Sequence, residues 1–119
     1  MRARQGFTLI ELLIVTLVIG ILASIAMVKF NDSKQRAYLA TMKSELNTVA
    51  TMAEAQYSSE STYANVVAPV PTNGVTLTFV GSITNWTATA THRGAPGTVC
   101  TLTTDVANGM PISSAPYCQ

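Results

Sequence analysis

Hydrophobic and polar positions divide this chain into three stretches of different character. Residues 7–28, Phe7-Thr-Leu-Ile-Glu-Leu-Leu-Ile-Val-Thr-Leu-Val-Ile-Gly-Ile-Leu-Ala-Ser-Ile-Ala-Met-Val28, are almost continuously apolar and hold one charge, Glu11. As a helix this run spans about 33 Å at 1.5 Å per residue, enough for a bilayer core. From Lys29 to about Ser58 there is no Gly or Pro, and Leu39, Met42, Leu46, Val49 and Ala53 recur at three- and four-residue steps. That spacing predicts an amphipathic helix with Lys34, Lys43, Glu45 and Glu54 off the stripe. Asn31-Asp32-Ser33 could interrupt it, but the pattern favours one rod of about 50 residues, near 75–80 Å.

Beyond the helix the chain changes. A connecting loop at 59–74 is polar at first and then broken by Pro69 and Pro71. Val75–Phe79 and Trp86–Thr91 alternate strictly, and Thr98–Thr103 is a third β-rich run. Turns are expected at Gly81–Asn85, Arg93–Gly97 and Asn108-Gly109, with an irregular tail to Gln119. Short successive strands imply an antiparallel meander whose apolar face needs a cover, and the stripe at Leu39–Ala53 supplies one. The predicted class is α+β: one long N-terminal helix, membrane-spanning in its first half, with a small antiparallel sheet packed on its second half.

Charge refines the first stretch. Residues 1–6 are short, polar and basic, and Arg2 and Arg4 should hold this end in the cytoplasm while residues 29–119 are exported. An ordinary cleavable signal peptide fits part of this, because Ser24-Ile25-Ala26 is a small-x-small site that would release a chain starting at Met27. Glu11 argues otherwise, since a carboxylate within a membrane span costs about 2.5–3.5 kcal/mol at mid-bilayer and marks function. A cut between Gly6 and Phe7 makes it intelligible. Phe7 would then carry an α-amine one turn from Glu11, which the carboxylate could neutralise in its own helix or in a neighbour's.

The run Gly6-Phe7-Thr8-Leu9-Ile10-Glu11-Leu12-Leu13-Ile14-Val15, continuing to Ile19-Gly20-Ile21-Leu22-Ala23, closely resembles the leader junction and first helix of type IV pilins and type II secretion pseudopilins. The resemblance covers about a quarter of the chain. It implies a leader at 1–6, cleavage by a prepilin peptidase after Gly6, methylation of the Phe7 amine, and pairing of Glu11 with a neighbouring subunit during assembly. It further implies an inner-membrane single-pass stage with a periplasmic head, an inner-membrane assembly platform, and then a filament built from copies of the chain or related pilins. One departure is Val28, where many members carry proline. Gly20 and Ser24 form a small-xxx-small pair that could let neighbouring helices approach closely.

Cys100 and Cys118 are not a C-x-x-C pair, and the lone histidine, His92, has no clear company, so a structural disulfide suits an exported chain better than zinc. In many type IV pilins two cysteines close a C-terminal loop, as these could. Asp105 is the only acid after Glu60, which leaves no oxygen cage for calcium. Major pseudopilins typically carry a calcium site and lack the disulfide, so the pilin reading gains. No catalytic constellation, cofactor motif or phosphate loop is present, and no metal site is expected. Beyond Lys43 the only basic residue is Arg93, which disfavours nucleic-acid binding by the head. The function expected is a filament subunit. The alternatives are a pseudopilin or minor pilin and, from another class, an exported binding or enzyme domain behind a signal peptide.

Overall fold

The computed structural model describes residues 6–107, 110–113 and 115–119. Residues 1–5 of the expected leader and the turn expected at Asn108-Gly109 lie outside the described residues. By internal contacts the chain forms two units, Met1–Lys34 and Gln35–Gln119.

A single helix, α1, runs from Leu9 to Glu60 without a break at Asn31-Asp32-Ser33. No Gly or Pro follows Gly20 within it, so nothing in the backbone chemistry forces an end before Glu60. Ser61, at φ 55°, takes the left-handed conformation that closes the helix. The helix therefore ends two residues later than the polarity of Ser58 suggests.

In the first unit the helix is solvent-facing all round, with large apolar side chains from Leu9 to Phe30 exposed. Its two mid-span hydroxyls turn back on their own backbone: Thr16 Oγ1 donates to the Leu13 carbonyl at 2.9 Å and Ser24 Oγ to that of Ile21 at 2.7 Å. Such bonds leave no side-chain hydroxyl needing water, the condition lipid imposes. Lys34 Nζ sits 4.5 Å from the Phe30 ring centroid at the end of the apolar run.

In the second unit a five-stranded antiparallel sheet has the order β1-β2-β3-β4, with β5 also on β3. The strands are β1 Val75–Gly81, β2 Trp86–His92, β3 Val99–Ala107, β4 Met110–Ser113 and β5 Tyr117–Cys118. β3 shares its outer edge between two partners, β5 along Cys100–Thr101 and β4 along Thr104–Ala107. The expected irregular tail is thus corrected. Pro111 and Pro116 break any alternation there, and the strands are short, so their pairing is set by the long-range partner β3 and not by local pattern.

Met42, Leu46, Val49 and Ala53 are fully buried against Trp86, Ala88, Ala90, Cys100 and Leu102. Alanines at the inward positions of the central strand leave room for the larger helix side chains, and the stripe acts as the cover that the meander needs. The outward positions are mostly threonine, and Thr87 and Thr103 bond across β2 and β3 at 3.0 Å.

Candidate functional site

The residues singled out around the helix start lie together on the described chain. Gly6 and Phe7 precede the helix and are exposed, Phe7 to 85%. Thr8 is the N-cap and Glu11 the third helical residue. Glu11 Oε2 accepts from the Thr8 backbone N–H at 2.9 Å and from Thr8 Oγ1 at 2.8 Å, while the Glu11 N–H donates to Thr8 Oγ1 at 3.3 Å. This is a capping box, in which the reciprocal bonds satisfy donors that a helix N-terminus leaves orphaned. Sequence reasoning fixed on the cost of a carboxylate in an apolar run and missed the box, although its signature, Thr8-x-x-Glu11, was legible.

The box changes the chemistry open to Glu11. Both side-chain bonds use one carboxylate oxygen, and among the described residues Oε1 accepts none. A carboxylate oriented by Thr8 therefore has one oxygen that the cap does not use. The negative charge also lies where the helix macrodipole favours it. The Gly6–Phe7 bond precedes the cap and takes no part in the box, so cleavage there would leave the cap in place. At Gly20 an added Cβ would meet nothing within 4 Å, which leaves this side of the helix open to a close neighbour.

In the head, Cys100 and Cys118 are joined, with S–S 2.02 Å and Cα–Cα 4.0 Å. The two face each other across β3 and β5, next to a doubly hydrogen-bonded pair, Val99 and Gln119 at 2.9 and 3.1 Å. They occupy the non-hydrogen-bonded position, where opposed Cα atoms approach most closely. His92 ends β2 and stacks on Tyr38 of the helix at 4.2 Å, with Nδ1 accepting the Gly94 N–H at 2.9 Å. It works as a packing residue: a Cβ at Gly94 would come within 2.7 Å of the Tyr38 ring. A cleft of about 320 Å³ at the β1–β2 hairpin is lined by Val80, Ser82, Asn85, Thr87 and Thr103, none of which titrates in the neutral range. Among the described residues no three His, Cys, Asp or Glu side chains gather where they could hold a metal ion.

A 52-residue helix whose exposed first part is long and apolar enough to cross a membrane, carrying a small antiparallel sheet on its second part, is the pilin fold. Residues 1–27 match the Prokaryotic N-terminal methylation motif. Two fimbrial proteins of Pseudomonas aeruginosa are each 46% identical to the chain over 54 residues, 45% of this chain and 35% of theirs. The matched region thus spans about a third of the length of these curated relatives. By length and composition the apolar helix fits membrane anchoring.

Proposed function

We propose that this chain is a structural subunit of a type IV pilus-like filament. In this reading a prepilin peptidase cuts between Gly6 and Phe7, the new Phe7 amine is N-methylated, and the span at 7–28 passes from the inner membrane into the filament core. The head at 29–119 faces the periplasm before assembly and forms the shell afterwards. Glu11 pairs through its second carboxylate oxygen with the Phe7 amine of a neighbouring subunit and sets the stagger between helices.

The observation that carries the proposal is the start of the helix. A capped terminus, an oriented carboxylate with one oxygen unused, and a wholly exposed apolar run follow directly on Gly6. Such a run cannot remain in water and must be covered by lipid or by copies of itself. Inside a helical bundle an unpaired charge is strongly destabilising, so a charge that finds its partner in only one register selects that register. N-terminal sequencing and intact mass of the chain from its native envelope test the reading. A mature terminus at N-methylated Phe7 is expected, and a terminus at Met27 would replace the proposal with an ordinary signal peptide.

A further inference from the structure

The apolar run of α1 ends at Val28, and the residues after it, Lys29 to Arg36, hold three cations and one carboxylate, Asp32. Lys29, Phe30, Asp32 and Lys34 are all exposed, Phe30 to 61%. Lys34 starts six residues past Val28, about 9 Å further along the axis at 1.5 Å per residue. Its ammonium does not stay at that height. Lys34 Nζ lies 4.5 Å from the Phe30 ring centroid, one turn back towards the apolar run. Helical side chains lean towards the N-terminus, so a long stem takes this direction without strain. The charge is thereby returned to the level of Phe30, about 3 Å past Val28.

That height is where a bilayer changes character. A hydrocarbon core of about 30 Å within a membrane of about 40–45 Å leaves a polar layer about 5–7 Å deep on each side. The run at 7–28, about 33 Å long as a helix, fills the core. Lys29 follows it directly, so Lys29 and the returned Lys34 ammonium both fall within the polar layer.

We propose that Lys29, Phe30 and Lys34 form a docking belt for the headgroups of anionic phospholipids, at the place where the helix leaves the membrane. The belt rests on the membrane stage set out under the proposed function. Charge complementarity names the occupant. A zwitterionic headgroup brings its own cation and gains little from two ammonium groups, whereas an anionic phosphate has no other partner at that depth. The Phe30 ring face holds the Lys34 ammonium at phosphate height and leaves its outer side open. Asp32 opposes the belt, so its neutralisation strengthens lipid binding, a sign that purely apolar anchoring does not give.

Amide NMR of the full chain in phosphatidylcholine bicelles, with phosphatidylglycerol replacing the host lipid stepwise, tests the belt. The amides of residues 29–34 should shift and saturate as the anionic lipid rises. The apparent association should weaken about fivefold for each lysine lost in Lys29→Gln and Lys34→Gln, and should strengthen in Asp32→Asn. Soluble glycerol phosphate added to phosphatidylcholine bicelles should leave these amides unmoved. Equal titrations for wild type and both glutamine variants, or saturation by glycerol phosphate in place of the lipid, would overturn the belt. A water-soluble paramagnetic agent separates this outcome from failure of the membrane reading. Amides of 7–28 reached by the agent would overturn both, whereas shielded amides with 29–34 indifferent to phosphatidylglycerol would overturn the belt alone.

Discussion

Thr8 and Glu11 close a reciprocal pair of hydrogen bonds across the first turn of the helix, with both side-chain bonds to Glu11 made at Oε2. One carboxylate thus carries the observed local cap and the proposed charge for a neighbour, and substitutions separate the two. Thr8→Val removes the cap at about 1 kcal/mol of helix stability but keeps the charge. Glu11→Gln keeps a capping acceptor and removes the charge.

If the neighbour's amine is what Glu11 serves, Thr8→Val should give filament yields within about twofold of wild type. Glu11→Gln and Glu11→Val should both fall at least about tenfold, since an unpaired buried charge costs about 3–5 kcal/mol. Both variants should still insert, because each removes a charge from the apolar run. The measurement is sheared-filament yield against total envelope protein, in cells with no wild-type copy. Normal yield from Glu11→Gln together with loss in Thr8→Val would assign Glu11 to capping alone.

Gly81 ends β1 against the loop that joins α1 to β1. A Cβ there would lie 2.2 Å from the Tyr63 carbonyl oxygen, and the Tyr63 N–H bonds the Ser82 carbonyl at 3.1 Å. A backbone atom in a bonded loop cannot step aside as a flexible side chain would. Gly81→Ala should therefore destabilise the head by about 1–3 kcal/mol, the usual cost of overpacking. Trp86, the only tryptophan and 2% exposed, reports unfolding by fluorescence in a denaturant titration. An unchanged midpoint would mean that the loop yields freely.

The parts of this molecule readable from sequence were those fixed by local period. The stripe from Leu39 to Ala53 and the alternations at Val75–Phe79 and Trp86–Thr91 each declare a buried face within a few residues, and the structure buries those faces. What was not readable depends on distant partners. Nothing local tells Tyr117-Cys118 to be a strand; its register comes from Cys100, 18 residues earlier. The Tyr38–His92 stack and the Thr72–Glu45 hydrogen bond likewise join residues whose nearness only the fold creates. At the helix start the information is local, since Thr8-x-x-Glu11 has capping-box spacing, but in an apolar run the cost of a carboxylate in lipid is the louder signal.

The Cys100–Cys118 bridge should contribute to the head in proportion to the chain it closes. A loop of about 19 residues removes denatured-state entropy worth roughly 3 kcal/mol in the loop-closure model. β5 has two residues and one flanking backbone pair, so without the bridge little else seats it on β3. Cys100→Ser should lower the unfolding midpoint and expose Tyr117 and Gln119 amides to exchange while β1 and β2 persist. Thiol labelling under denaturing, non-reducing conditions should find no free thiol in assembled wild-type protein. Two labelled thiols in assembled material would show that the bridge is dispensable.

The last prediction follows from Tyr63, 3% exposed and bonded to Glu54. Burial, and then the charge of Glu54 and its hydrogen bond, push the phenol from its ordinary 10.0 to about 12. An ionised phenol would face the Glu54 carboxylate, so the folded head holds the proton more tightly than the unfolded chain does. The sign follows directly. Stability from the neutral phenol is fully present below pH 10 and is lost as pH rises from 10 towards 12. Tyr63→Phe removes the titrating group and one charge-assisted bond, so it should be less stable than wild type near pH 7 by about 1–2 kcal/mol. Between pH 10 and 12 the difference should narrow, because only wild type has this proton to lose. Denaturant midpoints followed by Trp86 fluorescence at pH 7, 10 and 11.5 measure both limbs. Parallel midpoints for the two proteins across that range would show that Tyr63 keeps no special hold on its proton.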